Sequence, residues 1–190
     1  SIANHIKFGY SKTKFIYIPN GYSEIKIQEN QTKGVFLEIH EGDFIFGHVG
    51  RFHPVKNHLS FIDVMKRVIK KFPHVKCVMV GNKVDYNNVI ITNRIGDAFI
   101  NNFILLGEQD NMNAVYPLFD VLIMNSLSES FPNVVAESMN NSIPCIVTNA
   151  GDAYEIVNHT GWHVKNNNQD DLEDKVIEVL SLPKLSLKEM

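Results

Sequence analysis

Six short apolar runs, separated by longer stretches with helical periodicity, leave this chain few ways to fold. They cover residues 44–49, 75–80, 103–106, 121–124 and 145–147, with a weaker sixth at 162–164. Runs with little polar alternation suit strands buried on both faces, as in a parallel sheet. After the first run, Leu59, Ile62, Val64, Met65, Val68, Ile69 and Phe72 recur at helical spacing, with lysines and an arginine opposite. Helical patterns are also predicted over 112–118, 133–141 and 170–181, the last stopping before Pro183. The stretch 85–102, rich in Asn and β-branched residues, has the length of a crossover. Repeated β-α-β units with right-handed crossovers predict an α/β fold: a doubly wound, mainly parallel six-stranded sheet with helices on both faces, Rossmann-like in kind. Ligands of such sheets bind beyond the carboxyl ends of the strands, where strand order reverses.

Residues 1–42 break this rhythm. A helix-like start leads to Phe15-Ile16-Tyr17-Ile18, a turn at Pro19-Asn20-Gly21 and a polar stretch from 23 to 42. They are expected to form an entrance segment to one β/α core over 43–190, so residues 1–190 read as a single domain. At 190 residues the chain can bury a sizeable core.

A net charge of −3 gives no global basic field for nucleic acid, so an anionic ligand needs a local cluster of donors. Cys77 and Cys145 each sit within an apolar run and are expected as buried free thiols, which suits a reducing compartment. No apolar stretch is long enough for a membrane span and the N-terminus does not read as a secretory signal. The expected location is cytoplasmic, with any membrane association left to other parts of a longer protein.

The chemistry-bearing residues gather after the first and fourth runs. Gly47-His48-Val49-Gly50-Arg51-Phe52-His53-Pro54-Val55-Lys56-Asn57 puts an arginine and a lysine in one glycine-opened strand-to-helix loop. Arg51 can fork two oxygens of a diphosphate and Lys56 can add a mobile point charge. After the fourth run comes Asn125-Ser126-Leu127-Ser128-Glu129-Ser130-Phe131-Pro132-Asn133-Val134-Val135-Ala136-Glu137. Pro132 suits the first position of a helix, which would free the amides of Asn133, Val134 and Val135 for phosphate. Glu129 and Glu137 cannot be phosphate ligands; they make sense as acceptors for hydroxyl groups, such as those of a sugar and a ribose. Singly, each of these charges reads as an ordinary surface residue. The two loops together argue for a site.

Glu129-x7-Glu137 resembles the EX7E signature of family 4 retaining glycosyltransferases, and Gly50-Arg51 through Lys56-Asn57 resembles that family's phosphate-binding loop. Thr148-Asn149-Ala150-Gly151-Asp152-Ala153-Tyr154-Glu155-Ile156-Val157, followed by Thr160-Gly161, resembles its next loop and helix, and Ile18-Pro19-Asn20-Gly21 its interdomain crossover. The resemblance implies the C-terminal, donor-binding half of a GT-B fold whose N-terminal acceptor domain is absent from this chain. It implies that Arg51 and Lys56 neutralise the donor diphosphate and carry catalysis with Glu129. Glu129 would hold the transferred sugar, Glu137 the nucleotide ribose, and the backbone of Ser130, Phe131, Pro132, Asn133 and Val134, opposite Gly50, would cradle sugar and phosphate. The implied co-substrate is a UDP- or GDP-linked sugar, with no cofactor and no metal, and no Asp-x-Asp motif occurs in the chain. The implied acceptor is a glycan or lipid-linked molecule reached through the absent domain, in surface polysaccharide or glycoconjugate synthesis. Alone, this half would bind donor weakly and transfer nothing.

Two positions depart from the family pattern: Ser142 stands where glycine is usual, so its turn must tolerate a side chain, and Gly151-Asp152 replaces Gly-Gly. Base choice is expected to rest on loop backbone near Gly81-Asn82 and Gly107-Glu108. His53 is expected as a loop-surface histidine and Trp162 as core. The eight histidines show no metal-ligand pairing, and GxGxxG, Walker A and Gly-x-Ser-x-Gly motifs are all missing. Two other readings compete: a nucleotide-sugar epimerase on the same scaffold, which the Glu129/Glu137 pattern opposes, and a non-catalytic module, which would scatter Arg51, Lys56, Glu129 and Glu137 over the surface.

Overall fold

The structure is a computed structural model and describes residues 2–16, 20–21 and 39–187. The expected turn at 19–21 and the 23–42 segment fall mostly outside the described residues. The helix-like start is a short helix, α1 (Ile2–Lys7).

Among the described residues, six strands form one sheet: β1 (Phe44–Val49), β2 (Val75–Val80), β3 (Phe103–Gly107), β4 (Val121–Met124), β5 (Cys145–Thr148) and β6 (Trp162–Val164). Their order is β3-β2-β1-β4-β5-β6, and every neighbouring pair is parallel. The sheet is thus wholly parallel, where mainly parallel was expected. Register runs from Phe44 opposite Val75 to Val49 opposite Val80, and on the other side Gly47 stands opposite Leu122. The chain winds outward from β1 through β2 to β3, then returns to place β4 beside β1. That reversal puts the loops after β1 and β4 next to each other at the carboxyl edge.

Alternate residues of each strand feed two cores. Phe46, Cys77, Met79, Phe103, Ile123 and Ile146 pack on one face with Phe61, Met65 and Val68 of α2 (His58–Lys71) and Val176 of the helix Gln169–Leu180. Val78, Val80, Leu122, Cys145 and Val147 pack on the other with Tyr116, Phe119 and Val135. Both cysteines are buried and free, and burial pushes both thiols up, Cys145 to about 12.

The crossovers show where periodicity alone falls short. Residues 85–102 give a short helix, α3 (Val89–Ile95), capped by the Asn88 side chain, then a 3-10 turn at Ile100–Asn102. The helix expected over 112–118 is instead two 3-10 turns, Met112–Ala114 and Tyr116–Leu118. Pro117 lacks the N–H that a continuous helix would need there. Helices α4 (Asn133–Asn140), α5 (Ala153–Val157), α6 (Gln169–Leu180) and α7 (Lys184–Leu187) follow among the described residues. Arg67 of α2 ties to α6 through Glu173, Asp170 and Gln169. At the amino edge, Lys184 Nζ donates to the Asp43 carbonyl and to Asp120 Oδ2, while Asp120 Oδ2 also accepts from Ile45 N–H.

Candidate functional site

The site is built on glycines that bring backbones together. Gly50 N–H donates to the Val80 carbonyl, and Gly81 packs against the Gly50 peptide so closely that a Cβ at residue 81 would lie 2.3 Å from the Gly50 oxygen. The loop after β1 then runs through a 3-10 turn, Pro54–Lys56, whose start is capped when Val55 N–H donates to His53 Nδ1. His53 is exposed, as expected of a loop histidine. Asn57 takes a left-handed conformation (φ 58°) to turn the chain into α2.

That loop is held from behind by buried polar groups. Asn125 Nδ2 donates to the Asn57 carbonyl and Asn57 Nδ2 donates to the Asn125 carbonyl, both at 3.3 Å. With its Nδ2 so committed, Asn125 presents Oδ1 to His48 Nε2, which donates at 3.0 Å. His58 Nε2 donates to the Gly50 carbonyl at 3.0 Å, and the two imidazoles lie 4.6 Å apart. Burial first, then the neighbouring His58, holds the His48 pKa well below the usual value; burial lowers that of His58 to about 4. Both rings are therefore neutral at physiological pH.

Across from this loop, Leu127 N–H donates to the Val55 carbonyl at 2.8 Å. The contact brings Lys56 beside Glu129: Lys56 Nζ donates to Glu129 Oε1 at 2.5 Å, both side chains mostly shielded. The Lys56 stem lies over Gly50, where an added methyl would meet its Cδ at 3.3 Å. Thr148 Oγ1 donates to the Ser126 carbonyl, and Asp152 N–H to the Ser130 carbonyl. Gly151 (φ 61°) approaches the Ser130 carbonyl to where a Cβ would stand 2.1 Å away, so glycine is required there.

Pro132 departs from its expected place. With φ −77° and ψ 89° it precedes the helix, which starts at Asn133, and its carbonyl accepts from the Val135 amide. Of the three amides expected at the helix mouth, that of Val135 is therefore used internally. Asn133 receives a hydrogen bond from Asn20 Nδ2 at 2.8 Å, while Phe131 and Val134 are half-buried. Glu137 lies one turn inside α4, where its Oε2 accepts from the Tyr116 hydroxyl at 2.7 Å.

Beside the Lys56–Glu129 pair opens a cleft of about 480 Å³, with Arg51, Gly81, Asn82, Glu108 and Met112 in its wall. Asn82 Nδ2 donates to Glu108 Oε2 at 2.7 Å across that wall. Arg51 thus lines the cleft, while Lys56 is paired with Glu129. Ser142 occupies the left-handed region (φ 58°), the strain expected where glycine is usual. Trp162 is core, its indole N–H donating to Glu178. Tyr116, His48, His58 and Asn125 are not evident from sequence, because the first, second and last sit in or beside apolar stretches and His58 opens a helix, so none reads as more than packing.

The family model for "Glycosyl transferases group 1" matches residues 30–189. The chain belongs to that family. Among its relatives, the Escherichia coli UDP-Gal:alpha-D-GlcNAc-diphosphoundecaprenol alpha-1,3-galactosyltransferase is 27% identical over 88% of this chain and 48% of its own length. The Bacillus anthracis N-acetyl-alpha-D-glucosaminyl L-malate synthase is 26% identical over 75% of this chain and 37% of its own. The chain spans about half the length or less of these relatives. WaaG, a glycosyltransferase involved in lipopolysaccharide biosynthesis, superposes with a TM-score of 0.83 at 14% identity over 99% of this chain and 54% of WaaG. The C-terminal domain of the Francisella tularensis group 1 glycosyl transferase LpcC superposes at 0.67, with 20% identity, over 85% of this chain and 86% of that domain. Anabaena HepE in complex with UDP superposes at 0.63, with 23% identity, over 73% of this chain and 39% of HepE. These likenesses show the fold. No helix among the described residues is long and apolar enough to cross a membrane.

Proposed function

We propose that this group 1 glycosyltransferase chain is the donor-binding half of a retaining, family 4 type enzyme. It would take a UDP- or GDP-linked sugar and act with an N-terminal half that carries the acceptor. The observation that carries the reading is the meeting of Lys56 and Glu129 at the strand-order reversal, beside a cleft walled by Arg51 and Glu108. The cleft is large enough for a nucleoside, and Lys56 stands ready for an anion at its edge. Residues 1–42 are the crossover between the halves.

In this reading the base enters the cleft by Gly81, Asn82 and Glu108. Glu137 accepts from the ribose hydroxyls, and Glu129 accepts from hydroxyls of the sugar. Arg51 and Lys56 hold the diphosphate, and the backbone of Gly50 and of Ser130 to Val134 encloses sugar and phosphate. During transfer the bond from the anomeric carbon to the diphosphate oxygen breaks and the bond to the acceptor oxygen forms on the same face. The acceptor proton leaves with the departing diphosphate. Negative charge grows on that diphosphate, and Arg51 and Lys56 stabilise it without a metal ion. The activity belongs to the cytoplasm, in surface polysaccharide or glycoconjugate synthesis.

Calorimetric titration of the chain with UDP, GDP, ADP and their sugar conjugates tests the reading. Selective binding of one nucleotide, lost in folded Arg51→Ala and Glu137→Ala variants, supports it and names the base. No binding at millimolar concentration, in this chain or in the chain joined to its acceptor half, overturns it.

A further inference from the structure

A glutamate on a helix flank samples several rotamers unless something holds it. Glu137 is held. Its Oε2 accepts from Tyr116, whose ring is 1% exposed and set edge-on to Phe119 at 6.0 Å. Phe119 in turn fills the space above Gly47, where a Cβ would come within 2.3 Å of the ring. A continuous stack therefore runs from the middle of β1 through Phe119 and Tyr116 to one carboxylate oxygen. Four residues before Tyr116, Met112 lies in the wall of the cleft, so one short segment shapes both the cleft and the carboxylate. A carboxylate has about four lone-pair sites, more than the one hydrogen bond from Tyr116 uses.

We propose that Tyr116 is a positioning residue: it fixes Glu137 to accept from the ribose hydroxyls and thereby sets a preference for ribonucleotide over deoxyribonucleotide donors. The proposal rests on the donor-binding reading. A tyrosine kept only for packing would place its ring equally well without the hydroxyl.

The test is calorimetric titration of the chain with UDP and 2′,3′-dideoxy-UDP, with the guanosine and adenosine pairs used if the uridine pair does not bind. Wild type, Tyr116→Phe and Glu137→Gln are compared. Wild type should prefer the ribonucleotide. Tyr116→Phe should weaken that ligand alone by about five- to tenfold, the size of one charge-assisted hydrogen bond, and leave the dideoxy ligand unchanged. Equal weakening of both ligands, or of neither, overturns the proposal while the donor-binding reading stands. Failure of wild type to bind any of these nucleotides at millimolar concentration, both alone and joined to its acceptor half, overturns both. Should Tyr116→Phe not fold, Phe119→Leu keeps the hydroxyl but slackens the ring, and should reduce the same preference; an unchanged preference overturns the proposal.

Discussion

Lys56 Nζ sits 2.5 Å from Glu129 Oε1, so the lysine offered to a diphosphate already holds a carboxylate from the facing loop. Both groups come from separate crossovers, joined by the contact between Leu127 N–H and the Val55 carbonyl. The pair gives each charge an opposite partner. It also sets up a competition, because an incoming diphosphate must take Lys56 from Glu129.

Glu129→Gln should therefore tighten binding of a bare nucleoside diphosphate by a few-fold, since Lys56 is no longer shared with a charge. Lys56→Ala should weaken it about tenfold or more, as expected for loss of a charge-assisted contact. Calorimetry on both variants checks the pair of signs. Weaker binding in Glu129→Gln would mean that Glu129 pre-orients Lys56 rather than competing for it.

Ser142 ends the turn after α4 at φ 58° and is exposed. Ser142→Gly relieves the steric cost of a Cβ in the left-handed region and gives back part of it as chain entropy. The expected net is a gain of about 0.5–1 kcal/mol, read as a higher thermal midpoint with nucleotide binding unchanged.

At Gly81 (φ 145°) the added Cβ of alanine would meet backbone, not a movable side chain, at 2.3 Å from the Gly50 oxygen. Gly81→Ala should cost about 2–4 kcal/mol, as over-packing and backbone strain do. It should also shift the Gly50–Arg51 peptide and weaken nucleotide binding. Denaturant midpoints and calorimetry report the two effects separately.

His48 and His58 make stability depend on pH. In the unfolded chain each imidazole titrates near the usual value of about 6.5. In the folded chain burial lowers both, His58 to about 4 and His48 well below 6.5, with Lys56 nearby opposing their protonation. The unfolded state thus binds more protons between these values. Stability should be full above about pH 6.5 and fall as pH drops towards 4, on the order of 2–3 kcal/mol for His58 alone. Urea midpoints from pH 4 to 7.5 check this. His58→Gln, which keeps a donor for the Gly50 carbonyl, should flatten the slope.

The sheet was open to reading because a parallel strand is apolar along both faces: the first, second and fourth runs match β1, β2 and β4 residue for residue. The two charged loops were equally plain, since Arg51, Lys56, Glu129 and Glu137 stand close to the ends of the first and fourth runs. What hid was polar chemistry inside apolar context. Tyr116 lies 21 residues before its partner Glu137, and nothing local marks it as more than core. His48 sits in the middle of β1, and only the fold brings Asn125 to it. The 112–118 segment has helical spacing, yet Pro117 breaks the hydrogen-bond ladder on which spacing alone is silent. That Arg51 lines the cleft while Lys56 meets Glu129 depends on how the loop after β1 is folded, which residue type does not carry.

At the amino edge, Lys184 grips the Asp43 carbonyl and Asp120 at once, on the side of the sheet opposite the cleft. The domain therefore has a closed foot and an open hand. Loops at the open side can lengthen, shorten or change side chains to suit another base or sugar while the foot keeps strand order and register intact. Variation among relatives should accordingly concentrate after β2, β3 and β5, and a substitution at Lys184, on the side opposite the cleft, should leave nucleotide binding unchanged.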